Sequence, residues 1–264
     1  MIKLIASDLD GTLLPEGTQD INPELYDIVR ALNDKGIIFV AASGRELDTI
    51  KPVMAPVADM VYCISNNGGR ITKHMEEDTS LYTLEWSLAR DIISDVKGDS
   101  KVSFVSANTV SGTYTDSKNE KVLDWLINGY GLKAIIVDDM LADKKKVIKI
   151  SVYTNGDAND AVDRYKEKYG ALCHVTVAGE KWIDFTHSLA DKGIAFKSLI
   201  DSLGIKPEET WAFGDNGNDI SMIKAAGVGY AAPDAREEVK ESADVCLKGS
   251  IWDSVINEIK TLLL

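Results

Sequence analysis

The sequence predicts an α/β fold: a doubly wound, Rossmann-like parallel sheet core with an inserted α+β domain. The chain opens with a continuous apolar strand, a helix and a second apolar strand, which is the βαβ unit of a parallel sheet. From about Ser87 to about Phe185, apolar residues alternate with polar ones, as in half-exposed antiparallel strands. After Asp191, buried strands separated by helices return, so the core occupies two pieces of the chain.

The N-terminal piece begins with the apolar strand KLIAS. The segment NPELYDIVRALNDKG then predicts a helix that Asn22 caps, with Pro23 in its first turn. One face of this helix is apolar and is formed by Leu25, Ile28, Val29 and Leu32. The strands GIIFVAA and VYCIS follow, and the dipeptide Asn67-Gly68 predicts a hairpin turn soon after the second of them.

In the inserted domain, KVSFVSA, KVIKISVYT and LCHVTVAG predict strands and GDANDAVDRYKEKYG predicts a helix. The C-terminal piece predicts a helix ended by Gly204, a strand TWAF, a helix over 219–226, a strand VGYAA and a terminal helix. We therefore assign residues 1–85 and 186–264 to the core and 86–185 to the inserted domain.

The composition excludes several classes of partner. A chain of 264 residues, 45% of them hydrophobic, can bury a sizeable core, but its net charge of −13 disfavours nucleic acid or an anionic membrane as partner. The three cysteines form no CxxC pair, which predicts buried thiols in a reducing cytosol rather than disulfides or zinc. An acid at the eighth residue and the absence of a long apolar stretch argue against a signal peptide or membrane span, so we expect a cytoplasmic protein.

Polar residues of the kinds used in catalysis follow three of the predicted strands and open one helix. They are Asp8 and Asp10, Ser43 and Gly44, Lys192, and Asp215, Asn218 and Asp219. Each has a purely structural explanation: a turn, a solvated lysine, or a loop in which Asn218 caps a helix. Because the carboxyl ends of parallel strands meet at one edge of the sheet, where ligands bind, we expect these residues to form one site.

The acids in this group fit a metal ion. Asp8, Asp10 and Asp215 offer hard oxygen ligands, which suit Mg²⁺ bound beside a phosphate. Without a cation, crowded carboxylates would repel and raise one another's pKa. A cation would also offset the negative charge of the protein toward an anionic substrate.

In their order along the chain, DLDGT, SGR, the lysine of DKG and GDNGND resemble the four motifs of haloacid dehalogenase-type phosphatases. The tail GVGYAAPDAREEVKESADVCL resembles the Cof-type branch, whose members carry a large α+β cap between the second and third motifs. Two departures are Pro233, where relatives commonly have Asn, and IWDSV in place of Asp-Gly-Val. Neither departure touches the motifs that carry the chemistry.

The resemblance implies a role for each residue. Asp8 is the nucleophile that forms an aspartyl-phosphate, and Asp10 protonates the leaving alcohol and later deprotonates water. The metal ligands are Asp8, Asp215 and the backbone carbonyl of Asp10. The residues that bind phosphate or substrate are Leu9, Ser43, Gly44, Lys192 and Asn218. Two further residues position those that contact the substrate or the metal: Thr12 orders the loop, and Asp219 holds Lys192 or a metal-bound water.

These observations predict a Mg²⁺-dependent phosphatase that acts on small phosphorylated metabolites, with sugar phosphates as the first candidates. A sugar phosphomutase of the same superfamily shares the DxDGT motif and a similar cap, so the motifs leave it open. A phosphoacceptor signalling domain is disfavoured because its acceptor Asp would follow the third strand, where this chain has SNNGG. A non-catalytic magnesium-binding module is less favoured still, and the oligomeric state is not predicted.

Overall fold

A computed structural model describes residues 1–15, 18–129 and 131–263. The chain divides into two compact units, one formed by Met1–Ser80 with Asp191–Leu264 and the other by Leu81–Ala190. Both units combine helices with a β-sheet, which confirms the α/β class.

The elements are numbered in chain order. The strands of the described residues are β1 Leu4–Ser7, β2 Ile38–Ala42, β3 Val61–Ser65, β4 Arg70–Lys73, β5 Glu77–Leu81, β6 Val102–Thr109, β7 Gly112–Thr115, β8 Ala134–Ile136, β9 Val147–Thr154, β10 His174–Val177, β11 Trp182–Thr186, β12 Thr210–Gly214, β13 Val228–Ala231 and β14 Val245–Cys246. The α-helices are α1 Glu24–Asp34, α2 Leu47–Met54, α3 Trp86–Lys97, α4 Glu120–Asp124, α5 Asn159–Tyr169, α6 Lys192–Ser202, α7 Ile220–Ile223, α8 Glu237–Lys240 and α9 Ser254–Lys260.

The first unit contains a sheet in the order β14-β13-β12-β1-β2-β3-β4-β5. Strands β14 to β3 are parallel, and β4 is antiparallel to β3. Strand order runs outward from β1 in both directions, so β1 lies between β2 and β12, with Ala6 opposite Val40 and Ala212. This reversal is the point at which doubly wound sheets place their ligands.

The strands of this sheet are covered on both faces. Successive residues of β1 alternate between two cores: Ile5 packs with residues of α1, whereas Leu4 and Ala6 pack with residues of α6. Because both faces of these strands are buried, their sequences are continuously apolar rather than alternating.

Helix α1 forms much as the sequence predicts. The Asn22 side chain accepts a hydrogen bond from the Glu24 backbone N–H at 3.1 Å, and Pro23 precedes the first helical residue. The four apolar residues of the predicted face are buried: Leu25, Ile28, Val29 and Leu32. The predicted hairpin after β3 is also present, with positive φ at Asn67 and Gly68.

The second unit contains a sheet in the order β10-β11-β9-β6-β7-β8. The expectation of an antiparallel sheet is wrong for one pair, because β7 and β8 are parallel. The connection between them contains α4 and a π-helical turn, Trp125–Gly129, and a crossover of this length is what returns a strand in the parallel direction.

The two faces of this second sheet differ in chemistry. One face packs against α3 and α5 through apolar side chains such as Ile150 and Phe185. The opposite face carries two polar rows in cross-strand register. The first polar row is Thr113, Asn108, Lys149, Thr186 and His174, and the second is Ser106, Ser151, Asp184 and Thr176.

A cluster of charged and aromatic residues joins the end of α3 to α5. Arg164 forms ion pairs with Asp95 at 3.0 Å and with Asp99 at 2.6 Å, and the Tyr165 hydroxyl donates to Asp99 at 2.8 Å. Burial alone would raise the pKa of Asp99, but the Lys101 backbone N–H, the Tyr165 hydroxyl and Arg164 outweigh it and lower that pKa.

The cysteines only partly match their prediction. Cys63 and Cys173 are buried thiols, and burial raises the pKa of Cys63 to about 12 and that of Cys173 to about 11. Cys246, expected to be buried, is exposed because it lies on β14, the edge strand of its sheet. Among the described residues, no helix combines the length and the apolar character that crossing a membrane requires.

Candidate active site

A buried lysine connects two of the predicted motifs. Lys192 is the first residue of α6, and Asp8 directly follows β1. The Lys192 Nζ lies 2.6 Å from Asp8 Oδ1 and 2.5 Å from Asp219 Oδ1, and Lys192 is 1% exposed. Burial alone would lower the pKa of Lys192, but the adjacent Asp219 and Asp8 carboxylates outweigh it and raise that pKa, so this lysine stays protonated.

The start of α6 is fixed by its own contacts. The Asp191 side chain accepts hydrogen bonds from the Ile194 backbone N–H at 2.9 Å and from the Ser221 hydroxyl at 2.9 Å. A Cβ on Gly68, which has a φ of +94°, would collide with the Asp191 backbone. These contacts fix the first turn of α6 and therefore the position of Lys192.

Three carboxylates lie together around this lysine. Ligand oxygens of Asp8, Asp215 and Asp219 all lie within 4.8 Å of one another. Burial raises the pKa of Asp8, and Asp219 and Asp215 raise it further against the opposing effect of Lys192. Burial and Asp219 likewise raise the pKa of Asp215. One lysine therefore does not neutralise the cluster, and a divalent cation with oxygen preference fits these donors.

The loop after β1 is shaped to meet Asp215. The Thr12 hydroxyl donates to Asp215 Oδ1 at 2.8 Å. Gly11 has a φ of +79°, and a Cβ at this position would collide with the Asp215 carboxylate. The residues Gly11 and Thr12 of DLDGT thus let the first and last motifs approach each other.

The buried Asp219 carboxylate stabilises the loop that follows β12 through hydrogen bonds to its backbone. The Asp219 Oδ2 accepts backbone hydrogen bonds from Asp215 at 3.1 Å and from Asn216 at 3.0 Å, while Oδ1 receives Lys192. Asp219 is fully buried, and Asn216, rather than Asn218, caps the turn that leads into α7.

Asp10 has a different partner from the other acids. Arg45 donates from Nε to Asp10 Oδ2 at 2.7 Å and from a terminal nitrogen to Asp10 Oδ1 at 2.5 Å, and it also reaches the Thr18 carbonyl at 2.6 Å. The Arg45 side chain is 4% exposed and that of Asp10 is 23% exposed. Arg45, the third residue of SGR, is not among the site residues predicted from the sequence.

The remaining predicted residues lie in the loops that follow β1, β2 and β12. Ser43 is buried, and its hydroxyl accepts the Arg45 backbone N–H at 3.1 Å. The Asn218 side chain donates to Asn67 at 2.8 Å, and a Cβ on Gly44 would lie 3.0 Å from the same Asn67 oxygen. Asn67 was predicted only as a turn residue, but it connects two motif loops. The Leu9 side chain belongs to the apolar core, so only its backbone can serve a ligand.

A family model described as haloacid dehalogenase-like hydrolase matches residues 5–259. The chain belongs to this family. Phosphatase YwpJ of Bacillus subtilis is 30% identical over 292 residues, covering 99% of this chain and 100% of that protein. The 5-amino-6-(5-phospho-D-ribitylamino)uracil phosphatase YcsE of the same organism is 28% identical, covering 100% of this chain and 96% of that protein. A crystal structure from Eubacterium rectale matches with a TM-score of 0.90 at 29% identity, covering 99% of each chain.

These relationships confirm the resemblance read from the motifs. The haloacid dehalogenase-like hydrolases similar to this chain include named phosphatases, and the chain falls in their Cof-type branch. It is a phosphoric monoester hydrolase of the haloacid dehalogenase type.

Proposed function

We propose that the protein is a Mg²⁺-dependent phosphatase that hydrolyses small phosphorylated metabolites, sugar phosphates above all, through an aspartyl-phosphate on Asp8. The observation that carries the proposal is the bridge formed by buried Lys192 between Asp8 and Asp219, beside Asp215. A nucleophilic carboxylate must be ionised and held still: the Lys192 ammonium positions Asp8 and opposes the rise of its pKa, and a divalent cation beside Asp215 would supply the remaining positive charge.

In the first step an Asp8 oxygen forms a bond to phosphorus, and the bond from phosphorus to the substrate alcohol breaks. Asp10 gives its proton to the departing alkoxide. In the second step Asp10 takes a proton from water, whose oxygen attacks phosphorus and releases inorganic phosphate from Asp8. Asp10 lies two residues after Asp8 but is held by Arg45 rather than by Lys192, so different side chains position the two acids.

The other motif residues bind the phosphoryl oxygens. The Ser43 hydroxyl and the backbone N–H groups of Leu9 and Gly44 are donors for these oxygens, and Asn218 adds a side-chain amide. Mg²⁺, held by Asp8, Asp215 and the Asp10 carbonyl, would neutralise phosphoryl charge when bound. Asp219 keeps Lys192 and the Asp215 backbone in place.

The second unit is proposed as a cap that recognises the leaving alcohol. Its two polar rows support a polyhydroxylated group, because they present hydroxyl, amide, ammonium and carboxylate groups on one sheet face. Within the rows, Ser151 donates to Asp184 at 2.7 Å and Lys149 lies 3.3 Å from Asp184. The relative YcsE, named for a substrate with a phosphorylated ribityl group, supports the same class.

The test is phosphate release from a panel of sugar and polyol phosphates, with Mg²⁺ and with a chelator, by wild type and Asp8→Asn. The matched control is Asp201→Asn, because Asp201 is an exposed acid on α6. We expect Mg²⁺-dependent release that is lost in Asp8→Asn and kept in Asp201→Asn. No sugar bisphosphate is added, so phosphate release by wild type excludes a strict phosphomutase. Wild-type turnover by Asp8→Asn would refute the mechanism.

A further inference from the structure

The second unit contains a cavity that the proposed mechanism does not use. Its volume is about 350 Å³, and it lies between the turn that joins β6 to β7 and the segment just before β9. Its lining residues are Thr109, Val110, Ser111, Tyr114 and the three consecutive lysines Lys144, Lys145 and Lys146. All of them belong to the unit Leu81–Ala190, whereas Asp8, Lys192 and Asp215 belong to the other.

The lining is cationic and has no carboxylate. In the part of the chain that the structure describes, no acid forms an ion pair with Lys144 or Lys146, and both are exposed. Residues 81–190 contain fourteen Lys and Arg against sixteen Asp and Glu, so this unit carries −2 of the total charge of −13. The long-range repulsion of an anion is therefore weaker at this unit than at the rest of the protein, and the three lysines of the lining attract it locally.

The middle lysine is already held in place. The Lys145 Nζ contacts the carbonyls of Asp143 at 3.1 Å and Met140 at 3.4 Å, and it lies 5.1 Å from the centroid of the Tyr114 ring. An ammonium has three donors, so one remains after these two carbonyl contacts. Because its position is fixed without a ligand, an anion bound there loses less side-chain entropy than at a freely moving lysine.

Hydroxyl groups complete the lining. The Ser111 hydroxyl lies 3.1 Å from that of Thr109 and 3.3 Å from that of Tyr114. The second contact is longer than an ordinary hydrogen bond between hydroxyls, so these two groups can turn toward a ligand at low cost. Ammonium groups beside hydroxyl donors are the chemistry that binds phosphate.

We propose that this cavity is a second anion site, which binds a dianionic phosphate group through Lys144, Lys145 and Lys146. The group can come from inorganic phosphate or from a phosphorylated metabolite, and the volume admits a small molecule of either kind. The proposal goes beyond hydrolysis at Asp8 and does not depend on it, because binding alone is measured.

The experiment is a titration of the full ¹⁵N-labelled chain, followed at the backbone amides of Ser111 and Gly112 by NMR. Inorganic phosphate, a sugar phosphate with Asp8→Asn to prevent turnover, and the unphosphorylated sugar are added separately. The test variant is Lys144→Gln/Lys146→Gln. The matched control, Lys121→Gln/Lys166→Gln, removes two exposed lysines of the same unit and so has the same net charge.

We expect a saturable shift with inorganic phosphate or the sugar phosphate, and none with the unphosphorylated sugar. The test variant should weaken binding about tenfold, since two charged hydrogen-bond donors are lost, and the control by less than about twofold. Lys144→Arg/Lys146→Arg should keep the affinity. Absence of a saturable shift in wild type, or equal weakening in test and control variants, would overturn the proposal. The arm that binds more tightly identifies the source of the phosphate.

Discussion

Arg45 offers the sharpest test of how the two acids after β1 divide their roles. Two nitrogens of its guanidinium donate to the Asp10 carboxylate, and one of them also reaches the Thr18 carbonyl, which holds Asp10 in one orientation. We therefore expect Arg45 to act on proton transfer through the placement of Asp10. The perturbation is Arg45→Met, with Arg45→Lys as the variant that keeps the charge but loses the paired donors.

The expected size follows from the contacts and their exposure. Breaking a fully buried ion pair costs about 3–5 kcal/mol, and the 23% exposure of Asp10 lets water replace part of it, so we expect Arg45→Met to lose about 2–3 kcal/mol of stability. A misplaced general acid should lose most of the roughly 10²–10⁴-fold that proton transfer contributes. Since Arg45→Lys keeps the positive charge but not the paired, planar donors, it should fall between wild type and Arg45→Met.

The assay compares kcat for two leaving groups. A sugar phosphate releases a strongly basic alkoxide that needs a proton, whereas a nitrophenyl phosphate releases a weakly basic phenolate that does not. We expect Arg45→Met to lose about 10²-fold on the sugar phosphate and less than about tenfold on the aryl phosphate, as Asp10→Asn should. The double variant should lose little more than either single variant, because both remove the same function.

Equal losses on the two substrates would refute this reasoning, because a general disturbance of the site slows both. Additive losses in the double variant would refute it as well. Melting temperatures of wild type and the four variants show how much of each loss comes from unfolding.

Three further predictions concern the loop, the metal and the second unit. Gly11→Ala should lower the free energy of unfolding by about 2–4 kcal/mol in urea denaturation, because the positive φ and the collision with Asp215 add; an unchanged midpoint would contradict this. Chelation followed by addition of Mg²⁺ should abolish and restore activity, while Ca²⁺, which is larger and more flexibly coordinated, should restore it poorly; full activity in the chelator would exclude the metal. Asp99→Asn should cost about 1 kcal/mol at pH 7, since Arg164 is half exposed and screened. Because the pKa of Asp99 is lowered on folding, this stability is complete above the ordinary Asp pKa near 3.9 and is lost as the pH falls below it, so the difference between wild type and variant should shrink there.

Much of the site could be predicted from backbone order alone. Continuous apolar strands predict a parallel sheet, and in such a sheet the residues that follow β1, β2 and β12 must share an edge. Lys192, Asp8 and Asp219 therefore come together in the structure although 184 positions separate the first two. This proximity could be predicted without knowing any side-chain contact, because the order and direction of the strands determine which loops lie together.

What could not be predicted depends on the reach of single side chains. Arg45 looks in the sequence like one more charged residue after a turn, and its contact with Asp10 arises only because both loops fold over the same strand ends. In the sequence, Asn67 indicates only a turn together with Gly68, yet its side-chain oxygen accepts a hydrogen bond from Asn218. Strand β8 is parallel to β7 because a crossover connects them, and the alternation of polar and apolar residues does not predict a crossover.

The central position of β1 has a consequence for how the protein is made. One neighbour of β1 is β2, but the other is β12, which begins at Thr210, roughly two hundred residues later. At a synthesis rate of about 5–20 residues per second, the newly made β1 waits roughly 10–40 s with an open hydrogen-bonding edge. During that time the second unit, continuous in sequence, can finish folding while the N-terminal half-sheet exposes an apolar edge that a foreign strand could join. The catalytic site needs both Asp8 and Asp219, so it cannot form until most of the chain has been made, and the open edge of β1 is present before the enzyme can turn over its first substrate.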